Sequence, residues 1–183
     1  MTQRSILLIA LAVCVLFAAG TFWLRSRWRD DTVEYLGQTI QLSKPYPDFD
    51  EYKNDPNNLA ASEIPRVQKL VSEAPVPPSL TGEAEFAEKV LMLQFPGYGS
   101  TTTQSKPQSD GSILHLFAIE IPKTDRDRYI IYRSRANQFT LVDDFTEAED
   151  KSIMSVREEA GELVYRNEND RIVVKHPLPA SAR

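Results

Sequence analysis

The longest apolar stretch of the chain runs from residue 5 to residue 24 and contains no charged side chain. A helix of this length, at about 1.5 Å per residue, covers about 30 Å, the thickness of the hydrocarbon core of a bilayer. The stretch stops at Arg25, and Trp23 and Trp28 lie where indole rings favour the membrane interface. The pattern predicts an N-terminal transmembrane helix, so that residues 1–29 form a membrane anchor with a basic flank.

A cleaved signal peptide is the main alternative for this segment. Arg4 would supply its basic start, and Ala18–Gly20 would supply a cleavage site of small residues. Lipid attachment at Cys14 is a weaker alternative, because the residue before a lipidated cysteine should be small and Val13 is not.

The flanks of the stretch disagree about the side of the membrane on which the rest of the chain lies. Arg25, Arg27 and Arg29 follow the stretch and only Arg4 precedes it, which by the positive-inside rule places the C-terminal part in the cytoplasm. The very short N-terminal tail resembles the start of a secretory signal and places that part outside. We favour a single-pass anchor with an extracytoplasmic domain.

After the anchor the apolar residues follow shorter patterns. Residues 32–42 predict a β-hairpin that turns at Gly37, and residues 44–58 have the composition of a loop, so 30–58 is treated as a hairpin and a Pro/Asp/Asn-rich arm. Apolar residues three and four apart then predict two amphipathic helices. The first runs from Ser62 as N-cap, with Pro65 in its first turn, to Ala74, and the second from Ser79 or Thr81 to Leu93.

The remainder of the chain favours strands. Residues 112–121 are apolar at nearly every position, which is typical of a central strand covered on both faces. Short polar turns favour antiparallel pairing among the further predicted strands, at 129–134, 139–142, 162–166 and 171–175. We therefore predict an α+β domain over residues 59–176, with two helices packed on an antiparallel sheet of about five to seven strands. Residues 177–183 are predicted to be a flexible tail.

The charge of the chain argues against one class of partner. Residues 32–183 hold 17 basic and 24 acidic residues, a net charge of −7. Binding to nucleic acid requires a basic surface that neutralises phosphates, so no nucleic-acid partner is expected. Arg25, Arg27 and Arg29 could contact anionic headgroups, although a basic flank that stops membrane transfer explains them as well.

Residues with catalytic potential are few. The chain has two histidines, His115 within a predicted strand and His176 at a strand end, where we expect it to be solvated. Its one cysteine lies in the apolar stretch, and the sequence contains no zinc-protease, P-loop, nucleophile-elbow or dinucleotide-binding motif. A hydrolase would have to combine His115 with carboxylates of residues 143–150. Asp143 and Asp144 are its best acid/base pair, because neighbouring like charges push one pKa upward.

Two further segments allow a binding function. Residues 48–58 offer many carboxylate and amide oxygens for calcium, but Lys53 occupies the position that requires glycine in an EF-hand loop, and turn-forming side chains explain the same composition. Residues 95–100 could present Tyr98 to a ligand, although glycines that end a helix explain that sequence more simply.

These observations favour a membrane-anchored, non-catalytic domain for protein–protein contact or assembly at the cell envelope, since a tether raises the local concentration of a weak partner. The alternatives are a hydrolase that uses His115 with residues 143–150 and a calcium-dependent binding module that uses residues 48–58. No cofactor or metal is expected. Apart from the membrane, contacted through residues 5–24, the sequence does not identify a partner.

Overall fold

A computed structural model describes residues 32–43, 58–98, 100–148 and 153–179. The two helices in these ranges are α1 (Ile64–Glu73) and α2 (Glu83–Leu91). The strands are β1 (Thr32–Tyr35), β2 (Gln38–Gln41), β3 (Ser79–Thr81), β4 (Ser100–Pro107), β5 (Ile113–Glu120), β6 (Arg126–Arg135), β7 (Gln138–Ala148), β8 (Ser155–Glu159), β9 (Glu162–Arg166) and β10 (Ile172–Pro177).

The described strands form three antiparallel sheets. β1 and β2 make a hairpin. A central sheet of five strands has the order β3-β7-β6-β5-β4, and a small sheet of three strands has the order β10-β9-β8. The edges of the central sheet are therefore β3 and β4, and those of the small sheet are β8 and β10.

Three of the hairpin turns are two residues long and have positive φ at both positions. They are Leu36–Gly37 (48° and 72°), Ala136–Asn137 (48° and 65°) and Ala160–Gly161 (52° and 81°). Turns of this kind match the right-handed twist of the strands they connect. Because leucine and alanine seldom adopt positive φ, the strand pairing on either side holds these turns in place.

The central sheet is covered on both faces, because side chains alternate along its strands. On β6, Ile130 and Tyr132 enter the helix-side core, which lies against the two helices and the hairpin. Tyr129 and Ile131 enter the sheet-side core, which lies against the small sheet. Buried contributions from the covering elements are Val67, Val71, Phe86 and Val90 on the helix side and Val156, Leu163 and Tyr165 on the sheet side.

The predicted α+β fold, with two helices on one sheet of about five to seven strands, is wrong. Of the described residues, 49% are in strands and 15% in helices, and the strands are divided among three sheets. The strands β3, β4 and β8 were not predicted from the sequence. Their sequences, SLT, STTTQSKP and SVREE, lack the alternation of several apolar residues by which a strand is recognised.

The elements with strong apolar patterns are confirmed, with changed ends. Pro65 lies in the first turn of α1 as predicted, but the N-cap is Glu63 rather than Ser62, and it makes no side-chain cap hydrogen bond. The second helix starts at Glu83, because Ser79–Thr81 pairs with β7 as a strand instead of opening the helix. The hairpin of residues 32–42 and the strand at 162–166 are observed as predicted.

Several predicted segments lie outside the described residues. They are the anchor over residues 5–24, most of the arm over residues 44–58, and the end of the tail from residue 180. Within the described ranges, neither helix has the length and apolar character needed to cross a bilayer. The described residues on the two sides of the gap in the arm lie next to each other, because the Ser43 N–H donates to the Asn58 carbonyl at 2.6 Å.

Candidate functional site

His115 lies on the helix-side face of β5, with its imidazole between two hydroxyl groups. Its Nδ1 is 2.8 Å from Ser105 Oγ on β4, and its Nε2 is 2.8 Å from Ser134 Oγ on β6. The ring also contacts Phe86 and Phe139. Burial lowers the pKa of His115, and nearby Glu83 opposes that shift in part. Both ring nitrogens are engaged by neighbouring strands, so the geometry supports a structural role across the sheet.

Asp143 and Asp144, the predicted acid/base pair, point to opposite faces of the central sheet. Neighbouring residues of a strand point to opposite faces. β7 also contains a bulge, because Ile131 pairs with Asp143 and Tyr132 with Leu141, which leaves Val142 without an opposite residue. Asp143 contacts the sheet-side residues, whereas Asp144 binds Arg128 next to α1. Among the described residues no carboxylate hydrogen-bonds to His115, so the structure does not assemble the expected hydrolase residues.

Arg128 connects Asp144 to the end of α1. Its guanidinium binds both carboxylate oxygens of Asp144, at 2.8 and 2.6 Å. It also donates to the carbonyls of Val71 and Ala74, each at 2.8 Å. The last carbonyls of a helix lack partners within it, and α1 has no basic residue in its last turn. Arg128 therefore caps the helix from β6, which explains why this charged residue is buried.

His176 belongs to a polar cluster on the sheet side, contrary to the expectation that it is solvated. Its Nδ1 is 2.6 Å from Asp143 Oδ2, the oxygen that also accepts a hydrogen bond of 2.5 Å from the Tyr165 hydroxyl. Phe145 packs edge-to-face against both rings. The alternation of β10 could have indicated this position, because His176 lies on the same face as Val174, which is partly buried and packs against the sheet-side core.

The chemistry of this cluster is that of a cross-link between β7, β9 and β10. Burial first, and then the charge of Asp143, raises the pKa of Tyr165 far above its usual value, so its hydroxyl remains a hydrogen-bond donor. A histidine oriented by a carboxylate is one half of a general-base arrangement. Neither a serine nor a threonine hydroxyl in the described ranges hydrogen-bonds to His176, and the contacts present join three strands.

Of the proposed calcium segment at residues 48–58, only Asn58 lies within the described residues, where it is buried and its Oδ1 accepts a hydrogen bond from Ser43 Oγ at 3.1 Å. Glu149 and Asp150, two of the carboxylates proposed for a hydrolase, also lie outside the described residues. Within the described ranges, no group of three or more His, Cys, Asp or Glu side chains is arranged to hold a metal ion. The loop at residues 95–100 does not present an aromatic platform, because Phe95 and Tyr98 are buried in the helix-side core. This finding agrees with the simpler explanation of that loop.

The edges of β4 and β8 that pair with no strand in the described part of the chain border a groove of about 400 Å³. Its walls are formed by β4, by the start of β8 and by the turn between β9 and β10. Met154 contributes an apolar side chain that is 38% exposed. The lining residues are Gln104, Lys106, Met154, Ser155, Arg157, Asn167, Glu168 and Asp170. None of these residues was singled out from the sequence, because β4 and β8 carry no pattern that marks them as edge strands.

Several groups in the groove have no partner among the described residues. The Gln104 Oε1 atom is buried without a hydrogen bond. Lys106 and Arg157 make no ion pair within the described ranges, whereas eight other arginine or lysine side chains of this acidic domain do, for example Arg128, Arg133 and Lys175. Among the described residues, the groove therefore combines hydrogen-bonding and charged groups that lack partners with two strand edges that pair with no other strand.

Comparison with known proteins identifies no relative: the chain matches no protein-family model, no curated protein and no solved structure.

Proposed function

We propose that this chain is a membrane-anchored, non-catalytic domain that makes protein–protein contacts at the cell envelope. The observation that carries the proposal is the groove between β4 and β8, which combines an exposed methionine with two strand edges that have no partner in the described ranges. Strand edges left without a partner are the sites at which sheets recruit other chains. The predicted anchor over residues 5–24 would hold this surface near a membrane-bound partner and raise its effective concentration.

The histidine and carboxylate side chains that a hydrolase would need are engaged in hydrogen bonds within the fold, which favours a contact function over catalysis. Asp144 is bound to Arg128, Asp143 is shared by Tyr165 and His176, and both nitrogens of His115 are occupied. Groups held in this way stabilise the strand arrangement. A catalytic site instead needs an acid, base or nucleophile directed into a cleft, and the groove contains no histidine.

Site-specific photo-crosslinking in cells that produce the full-length chain tests this proposal. A photoreactive residue is placed at Met154 in the groove, at Leu91 at the exposed end of α2, or at Lys69 on α1 as a control on the other side of the central sheet. We expect a discrete protein adduct from Met154 and none from Lys69, with a lower yield when the anchor is removed. Absence of an adduct from all three positions, with the chain migrating alone in native gels, would refute a contact function.

A further inference from the structure

We propose that the groove binds an extended segment of the partner protein, which adds a fourth strand to the small sheet along β8 and places an acidic side chain between Lys106 and Arg157. This inference rests on the proposed contact function and defines the chemistry of the partner. It is argued from the open backbone of β8, the unused acceptor of Gln104 and the two unpaired cations.

The outer edge of β8 faces the groove. β8 pairs with β9 on one side and, in the described part of the chain, with no strand on the other. The Glu158 N–H points away from β9 and reaches Gln108 Oε1 at the end of β4, at 3.4 Å. Outward-pointing groups alternate along a strand, so Val156 presents its backbone on the same edge. A strand added at this edge would hydrogen-bond to the β8 backbone, and every second side chain of it would contact the groove.

Gln104 supplies a hydrogen-bond acceptor on the floor of the groove. Gln104 pairs with Leu116 on β5, so the Gln104 side chain lies on the sheet-side face of the central sheet. An added strand would lie above it. A buried acceptor without a donor is destabilising, because the group has lost its hydrogen bonds to water. The backbone N–H groups or an amide side chain of an inserted segment would satisfy Gln104 Oε1.

The charges favour a carboxylate as the side chain that enters the groove. Lys106 on β4 and Arg157 on β8 line the groove from two different strands and have no ion-pair partner among the described residues. The acidic lining residues lie on the β9–β10 turn, where Asp170 is 3.9 Å from Arg166. An acidic side chain is therefore attracted to the β4–β8 side, away from Glu168 and Asp170.

Selection from a library of random peptides displayed on phage tests the inference, with the full-length chain in detergent micelles as the target. We expect enriched peptides to carry an acidic residue at a fixed position and to lack central prolines, because proline removes a backbone donor. Hydrogen exchange with a bound selected peptide should show new protection of β8 amides. The double variant Lys106→Glu/Arg157→Glu should lower the affinity of that peptide about tenfold or more.

The control is the double variant Lys69→Glu/Lys89→Glu, which changes the net charge by the same amount on the two helices and should leave the affinity unchanged. Equal losses in both variants, protection elsewhere than β8, or no enriched peptide would overturn the inference. Crosslinking distinguishes this failure from that of the proposed function. An adduct from Leu91 without one from Met154 would support the contact function but exclude the groove as the binding site. No adduct at any of the three positions would exclude both the contact function and the groove.

Discussion

Asp143 and Asp144 are neighbours on β7, yet they serve the two faces of the central sheet in different ways. Asp144 forms a two-bond ion pair with Arg128, whose side chain is 4% exposed and which also caps α1. Asp143 receives hydrogen bonds from Tyr165 and His176, which come from two strands of the small sheet. One pair of adjacent carboxylates thus attaches a helix to one face and a sheet to the other.

The difference lies in the groups that face each carboxylate. Arg128 binds Asp144 through its guanidinium, so this attachment is an ion pair. Tyr165 is kept neutral by burial and contributes a hydrogen bond without a charge. We expect the loss of Arg128 to leave an uncompensated carboxylate and two open carbonyls, and the loss of the Tyr165 hydroxyl to leave a carboxylate that retains His176.

The largest effect is expected for Arg128→Met. Methionine replaces the unbranched aliphatic part of the arginine side chain but lacks the guanidinium. The substitution therefore removes the partner of Asp144 and of the last α1 carbonyls. Breaking a buried ion pair from one side costs about 3–5 kcal/mol, which chemical denaturation measures as a lower free energy of unfolding. Arg126→Met on the same strand is the control, because the Arg126 side chain is exposed and hydrogen-bonds, among the described residues, only to Thr146. Similar losses for both variants would contradict the role given to Arg128.

The two cores are compared directly by Ile130→Ala and Ile131→Ala. These neighbouring residues of β6 are both 0% exposed and enter opposite cores. Each truncation should cost about 2–5 kcal/mol, with Ile130→Ala at the lower end because short helices can shift to fill a cavity more readily than a paired sheet.

The unfolding of these two isoleucine variants also tests whether the two faces form one unit. Thermal melting followed by near-UV and by far-UV circular dichroism should give one coincident transition for each variant, because both cores share the central sheet. Two separated transitions in the Ile131→Ala variant would show that the small sheet unfolds independently of the helices.

The central strands and both helices could be predicted from the sequence because burial on two faces leaves a dense apolar pattern. Residues 112–121 were expected to be covered on both sides, and β5 contributes Leu116 to one core and Phe117 to the other. Edge strands have no comparable pattern. β4 is composed mainly of Ser, Thr, Gln and Lys, and β8 has a single apolar residue, Val156. Because neither strand was predicted, the small sheet and the groove between β4 and β8 could not be expected from the sequence.

The polar clusters could not be predicted, because they depend on the register of strands that are distant in the sequence. The bulge in β7 places Val142 and Asp143 on the same, sheet-side face, and a bulge of this kind leaves no mark in the local composition. His176 is joined to Asp143 across 33 positions of the chain. Hydrogen bonds of this span follow from topology, which short-range spacing does not determine.

A smaller effect is expected for Tyr165→Phe than for the isoleucine truncations, with Tyr132→Phe as its counterpart on the other face. The Tyr165 hydroxyl donates to a carboxylate, whereas the Tyr132 hydroxyl donates at 2.6 Å to the neutral carbonyl of Pro77. Hydrogen bonds to charged groups contribute about 1.5–3 kcal/mol, and those between neutral groups about 0.5–1.5 kcal/mol. Urea titrations should therefore show the larger loss for Tyr165→Phe. An equal or reversed order would mean that His176 fully satisfies Asp143 without the tyrosine.

The smallest expected effect is the pH dependence contributed by His115 on the helix side. Burial lowers its pKa in the folded chain below the ordinary value of 6.5, so the unfolded chain takes up a proton first as the pH falls. The free energy of unfolding should thus decrease as the pH falls through about 6.5, and this contribution should be absent above that value. His115→Gln, which can still bond to a serine, should flatten this part of the profile. An NMR titration of the His115 ring with a midpoint at or above 6.5 would show that the two hydroxyl partners compensate for the burial of the ring.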